Sequence, residues 1–213
     1  MKVKYTITIL FIFLNFVIYA QSRNVVFSIE YSPNISRLST TPTLVDYQWK
    51  LSHNIFFKTE YQLSNEIRPT FGIGFFNTGD QFTSEVGSLG IDKIRYKYHF
   101  NYILIPMGIS WNIGSYYVNP EIGLGLNISN VATSKIYFLD GSTEKSSMKY
   151  QLYGGEFNKI TIPVMMSIGR TITIKTMEYL IGLKGYYGLN QIVKDVPNTN
   201  HYYGFGLNLG VRF

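Results

Sequence analysis

The sequence predicts an all-β protein: an eight-stranded antiparallel transmembrane β-barrel over residues 21–213, preceded by a cleaved signal peptide at residues 1–20. Three observations predict it. Beyond the first twenty residues the hydrophobic pattern repeats every second residue, which is the strand period. The connections between these alternating stretches are by turns short and long. Charged residues make up 15% of the chain and aromatics 16%, whereas soluble domains carry about 25% charged residues. Scarce charge with abundant Tyr and Phe suits a surface that meets lipid and headgroups.

At the N-terminus, Lys2 and Lys4 precede a stretch from Ile7 to Ile18 that is apolar apart from Thr8 and Asn15, and Tyr19-Ala20-Gln21 follows. This is the charged region, apolar core and small-residue cleavage site of a secretory signal, with cleavage expected after Ala20. The apolar run falls short of the roughly 20 residues a spanning helix needs. Without Lys2 and Lys4 the formal charge drops from +6 to +4, too weak to point to a nucleic-acid partner. The chain has no cysteine, which excludes a disulfide framework, a thiol nucleophile and an acylated lipoprotein cysteine.

The strands follow in order. In the first, Val25, Phe27, Ile29 and Tyr31 alternate with Val26, Ser28 and Glu30. Phe57, Thr59, Tyr61 and Leu63 then alternate with Lys58, Glu60 and Gln62. In the third, Ile67, Pro69, Phe71, Ile73 and Phe75 face away from Glu66, Arg68, Thr70, Gly72 and Gly74. Ile103 to Trp111 and Val118 to Ile128 give the fourth and fifth, the latter set against Asn119, Glu121, Gly123 and Gly125. Ile162 to Ile168 is the sixth, and Tyr179 to Leu189 the seventh, with Glu178, Gly182 and Lys184 on its other face. The last has Tyr203, Phe205, Leu207, Leu209, Val211 and Phe213 against Gly204, Gly206, Asn208, Gly210 and Arg212. Short turns are expected near Ser64-Asn65, at 112–115 and at 170–173. Long loops are expected at 33–53, 78–95, 130–155 and 191–200, the arrangement of an outer-membrane barrel with both termini periplasmic.

A soluble carrier barrel also alternates, but its apolar face points inward. Here the polar face is rich in glycine, which a crowded lumen explains and water does not. Its charges are Glu30, Lys58, Glu60, Glu66, Arg68, Glu121, Glu178, Lys184 and Arg212, five acids against four bases. Buried charges persist when paired, so the expectation is a narrow lumen closed by an ion-pair network.

The chain resembles the outer-membrane β-barrel family of Bacteroidetes described as PorT-like. The residues that carry the resemblance are Tyr102-Ile103-Leu104-Ile105-Pro106-Met107, the stretch from Pro120 to Gly125 and the terminal strand ending Val211-Arg212-Phe213. The resemblance implies a porin-like outer-membrane barrel with no single assigned activity. It also implies that Phe205, Leu209, Val211 and Phe213 are read by the barrel-assembly machinery during insertion.

Little chemistry is legible. His53, His99 and His201 stand in separate segments and no pair has metal-ligand spacing. No cofactor, metal or catalytic residue is expected. The expected role is non-enzymatic: structural, adhesive or export-accessory, through the extracellular loops. The expected partners are outer-membrane lipids and lipopolysaccharide, with an unidentified surface or export partner. The alternative is a lipid-modifying enzyme at the outer rim, resting on His99 or His201 with Ser88, Ser146 or Asp195.

Overall fold

The computed structural model describes residues 24–39, 46–88, 90–149, 158–192 and 201–213. The expected signal peptide at residues 1–20 lies outside these residues. All regular structure among the described residues is strand: β1 (Val25–Ser39), β2 (Asp46–Gln48), β3 (Lys50–Tyr61), β4 (Ile67–Ser88), β5 (Ile91–Ile113) and β6 (Tyr116–Phe138). They continue as β7 (Thr143–Lys149), β8 (Ile160–Thr161), β9 (Pro163–Ile174), β10 (Met177–Gly188) and β11 (His201–Arg212).

Eight of these close a ring. The antiparallel order β3-β1-β11-β10-β9-β6-β5 is completed by β4, which pairs with both β3 and β5. The closing contact joins the two ends of the chain, with Ser28 opposite Arg212 and Ile35 opposite Phe205. β2 adds to β4, β8 to β6, and β7 forms a hairpin with β6 outside the ring. Closure leaves the barrel wall without an edge strand.

The barrel is inside-out relative to a soluble one. Phe57, Phe71, Ile73, Leu124, Ile168, Leu183, Phe205 and Leu207 are exposed on the outer surface, while Glu30, Lys58, Glu121, Lys184 and Arg212 are buried. Only a hydrocarbon surround makes that distribution stable, so this is a membrane barrel. On β4 the outer apolar band runs from Ile67 to Phe75 and on β5 from Ile103 to Ile113, close to the roughly 9–11 residues of a tilted spanning strand.

Below the band the turns are tight. Gly114, at φ 61°, reverses the chain between β5 and β6, and Lys175, at φ 56°, does so between β9 and β10. Above it, the structure corrects the expected loops. Residues 78–95 are mostly strand: β4 and β5 stay paired from Phe75↔Ile103 to Glu85↔Lys93. β6 follows β5 out to Ile91↔Phe138, and β7 joins on its far side through Thr143–Lys149. On β5 the alternation continues beyond the band, as Lys93, Arg95, Lys97 and His99 against Ile94, Tyr96, Tyr98 and Phe100. The apolar members here take the inner face, where Tyr96 and Tyr98 stack on Phe82, the reverse of the lipid-facing pattern.

Candidate functional site

The lumen is filled by two ion-pair clusters and an aromatic layer. Alternation places Glu30 (β1), Lys58 (β3), Glu121 (β6) and Lys184 (β10) inward at the same depth. Lys58 Nζ lies 2.9 Å from Glu30 and 2.6 Å from Glu121. Lys184 Nζ lies 3.0 Å from Glu121 and 3.6 Å from Glu30. Two ammonium groups and two carboxylates thus alternate around a closed loop, so each charge has two opposite neighbours. The Phe56 ring caps both cations, at 4.4 Å from Lys184 and 5.6 Å from Lys58.

A second cluster stands nearer the short turns. Arg212 Nε donates to Glu60 at 2.8 Å, and its Nη1 to Glu178 at 3.3 Å. Arg68 reaches Glu178 at 3.3 Å and Glu60 at 4.0 Å. Arg212 also donates to Ser110 Oγ and to Asn112 Oδ1, each at 3.1 Å. A polar vestibule of about 500 Å³ opens at this end and is lined by Arg68, Asn112 and Glu178 among others.

Glu66, expected in the network, does not join it. It lies in the exposed turn before β4, because the inner-face period stops where the strand stops. Two inner charges fall outside the expected set. Lys50 is buried at the start of β3 and donates to Ser52 Oγ and Asn77 Oδ1, both at 2.9 Å. Asp80, five residues beyond the apolar band on β4, is buried and accepts from the Gln81 N–H at 2.7 Å. Burial raises its carboxyl to about 7.

On the loop side of the clusters, Phe56, Phe76, Phe100, Tyr102, Leu104, Met165, Tyr186 and Tyr202 form one buried apolar cluster. Phe76 meets Tyr186 edge-on, with ring centroids 4.9 Å apart. The Tyr186 hydroxyl donates to Asn34 Oδ1 at 2.8 Å, and the Tyr202 hydroxyl shares a hydrogen bond with Thr161 Oγ1. Each ring thus keeps its polar tip satisfied while its body fills the bore.

The four terminal-strand residues expected to be read by the assembly machinery all face out. Phe205, Leu209 and Phe213 are exposed to the surround and Val211 is half-buried. Phe213 also pairs through its backbone with Phe27, closing the seam of the ring.

The sheet that projects beyond the apolar band is the other chemically distinct surface. One face of it carries Glu85 on β4, Lys93, Arg95, Lys97 and His99 on β5, Lys135 and Tyr137 on β6, and Lys145 on β7. Arg95 pairs directly with Lys135, and Lys135 with Lys145, a row of three cations across adjacent strands. Burial together with the Lys50 and Lys97 ammonium groups holds His99 down to about 4.

The histidines do not converge. His53 sits on the outer face of β3 and hydrogen-bonds the Tyr31 hydroxyl at 2.7 Å. His201, at the loop end of β11, bonds the Gly188 carbonyl at 2.8 Å through Nδ1. Ser146 lies opposite Ser134, on the other face of the sheet from His99. The Ser88 side chain and Asp195 lie outside the described residues. Among the described residues no group of His, Cys, Asp or Glu is arranged to hold a metal ion.

No family model matches the chain, and no curated protein does either. Solved structures similar to it include Ail, the attachment invasion locus protein of Yersinia pestis. Ail is 15% identical, the match covers 89% of this chain and 99% of that one, and the TM-score is 0.44. Neisserial surface protein A is 15% identical, with 87% and 95% covered and a TM-score of 0.37. The outer membrane protease OmpT of Escherichia coli is 9% identical, with 90% and 96% covered and a TM-score of 0.42. At these values the likenesses carry no argument about activity. The fold of this chain, a closed eight-stranded antiparallel membrane barrel, rests on its own ring of strand pairings.

Proposed function

We propose that the protein is a non-conducting integral barrel of the outer membrane that acts through its extracellular sheet, in a structural, adhesive or export-accessory role. The observation that carries this reading is the division of labour along the barrel axis. The bore is occupied by paired charges and aromatic rings, whereas β4 to β7 extend as a hydrogen-bonded sheet beyond the apolar band. A lumen with no solute path leaves the projecting sheet as the part able to meet other molecules. The resemblance to PorT-like barrels of Bacteroidetes agrees with an accessory role of this kind. The outward Phe205, Leu209, Val211 and Phe213 suit recognition by the assembly machinery. A rim enzyme is disfavoured because His99 and Ser146 lie on opposite sheet faces.

Orientation tests the reading directly. The chain has no native cysteine, so single Ser147→Cys and Thr176→Cys variants, both at exposed positions, can be probed on intact cells with a membrane-impermeant maleimide. Labelling of Ser147→Cys alone is the expected result. Labelling of Thr176→Cys alone places the sheet on the periplasmic side and overturns the proposal.

A further inference from the structure

The basic face of the extracellular sheet gathers like charges that the described residues do not fully pair. Like charges directly opposite each other on neighbouring strands destabilise a sheet, yet Arg95, Lys135 and Lys145 stand in one row. Lys93, Arg95 and Lys135 also crowd a single ring, that of Tyr137, at 5.6, 5.7 and 4.5 Å from its centroid. Lys93 has a carboxylate partner, Asp92 at 3.5 Å. Among the described residues, Arg95, Lys97, Lys135 and Lys145 have no carboxylate within 4.0 Å. Arg95 Nε is shielded from solvent and has no hydrogen-bond partner. The acids near this face, Glu85 opposite Lys93 and Asp92 beside it, stand at its far end and leave the Arg95, Lys135 and Lys145 row without a carboxylate partner among the described residues.

What covers the face follows from its continuity with the barrel wall. Phe75 and Ile103, which meet lipid, lie on the same face of the β4–β5 ribbon as Gln81, Lys97, Thr83 and Arg95, with no register break between them. The neighbours at that face are therefore the molecules of the surrounding outer leaflet. Their height is also given. From Ile103 to Arg95 the strand runs eight residues, roughly 25 Å along its length and about 20 Å above the hydrocarbon after tilt. That is beyond the headgroup phosphates nearest the acyl chains and at the level of the first sugars attached to them.

We propose that Arg95, Lys97, Lys135 and Lys145 form a binding face for the phosphate- or carboxylate-bearing inner sugars of the outer-leaflet glycolipid that surrounds the barrel. An oxyanion set between the Arg95 guanidinium and the Lys135 ammonium neutralises the row. Forked guanidinium and flexible ammonium groups together accommodate both phosphate and carboxylate geometry. This inference rests on the extracellular placement proposed above.

The test uses purified full-length protein in neutral detergent and two probes: lipopolysaccharide truncated after its inner sugars, and lipid A alone. The wild type should bind the truncated lipopolysaccharide at least tenfold more tightly than lipid A, with affinity falling as salt rises from 50 to 200 mM. The variant with Arg95→Gln, Lys97→Gln, Lys135→Gln and Lys145→Gln should lose at least tenfold for the first probe and little for the second. Its heat-dependent gel mobility should be unchanged, because the substitutions relieve repulsion. If that variant does not fold, Arg95→Gln and Lys135→Gln singly are each expected to weaken binding about threefold. Equal binding by wild type and variants, equal affinity for both probes, or tighter binding of soluble heparin than of the lipopolysaccharide overturns the inference. Surface labelling of Ser147→Cys together with any of those results discards the glycolipid site and leaves the extracellular placement standing.

Discussion

Lys58 and Glu121 reach each other across the barrel from β3 and β6, with Nζ 2.6 Å from Oε1 and neither side chain exposed. The contact needs the ring to be closed, since β4 and β5 separate the two strands along the wall. Lys58 is also bound to Glu30, so its removal leaves two buried carboxylates with Lys184 as their remaining ammonium partner. Lys58→Met should destabilise the barrel by about 3–5 kcal/mol, the cost of stranding a buried charge. Adding Glu121→Gln should recover part of that loss. Urea unfolding in lipid vesicles, followed by tryptophan fluorescence, reads both effects, and additive losses would show that the two residues do not interact.

Gly182 and Gly169 face each other across β9 and β10, and the Tyr117 ring from β6 lies over them. A methyl group at Gly182 would collide with the Ile168 carbonyl oxygen and stand 2.7 Å from both Gly169 Cα and the Tyr117 hydroxyl oxygen. One at Gly169 would collide with the Ile181 carbonyl oxygen and stand 2.8 Å from the Tyr117 hydroxyl oxygen. Tyr117 is held by Asn208, which donates to its oxygen at 3.1 Å. Gly182→Ala should therefore cost about 1–3 kcal/mol by overpacking, and Tyr117→Phe should not recover it, because the backbone contacts of the β9–β10 pair remain. A full recovery in the Tyr117→Phe background would assign the effect to the hydroxyl instead.

Asp80 makes stability depend on pH. Its folded pKa is raised by burial to about 7, against about 3.9 in an unfolded chain. Between those values the folded state holds a proton that the unfolded state has released, so stability falls as pH rises from about 4 to about 7. Asp80→Asn should flatten that slope and be more stable than wild type at pH 8. The midpoint of thermal unfolding by gel mobility, taken at pH 5 and pH 8, checks it. An unchanged slope in Asp80→Asn contradicts the assignment.

Phe213 closes the seam with Phe27 through paired backbone bonds at 2.9 and 3.1 Å, which a change of side chain leaves intact. Phe213→Ala should therefore fold unaided in thin-lipid vesicles nearly as well as wild type. In cells it should insert several-fold more slowly. Equal loss in both settings would make the ring a packing residue only.

The wall of the barrel was legible because lipid imposes the period: every second residue between Ile67 and Phe75 must be apolar, whatever its neighbours. The same rule failed at each end of a strand. Glu66 continued the inner-face count by one residue into a turn, and Lys50 and Asp80 lay in stretches expected to be loops, where their strands run on past the lipid band. Membership of the lumen network followed from alternation, but the partners did not. Whether Lys58 meets Glu121 depends on the shear of the closed ring and the reach of each side chain. The cation row of Arg95, Lys135 and Lys145 was invisible for the same reason, since register across three strands places it.

The central claim is that the bore is sealed by paired charges and rings. Single-channel recording of the purified protein in planar bilayers at 1 M KCl tests it most directly. A sealed bore predicts no discrete conductance in wild type, and small flickering openings only when Phe76→Ala and Tyr186→Ala remove the aromatic layer together. Stable, large conductance steps from the wild-type protein would contradict it.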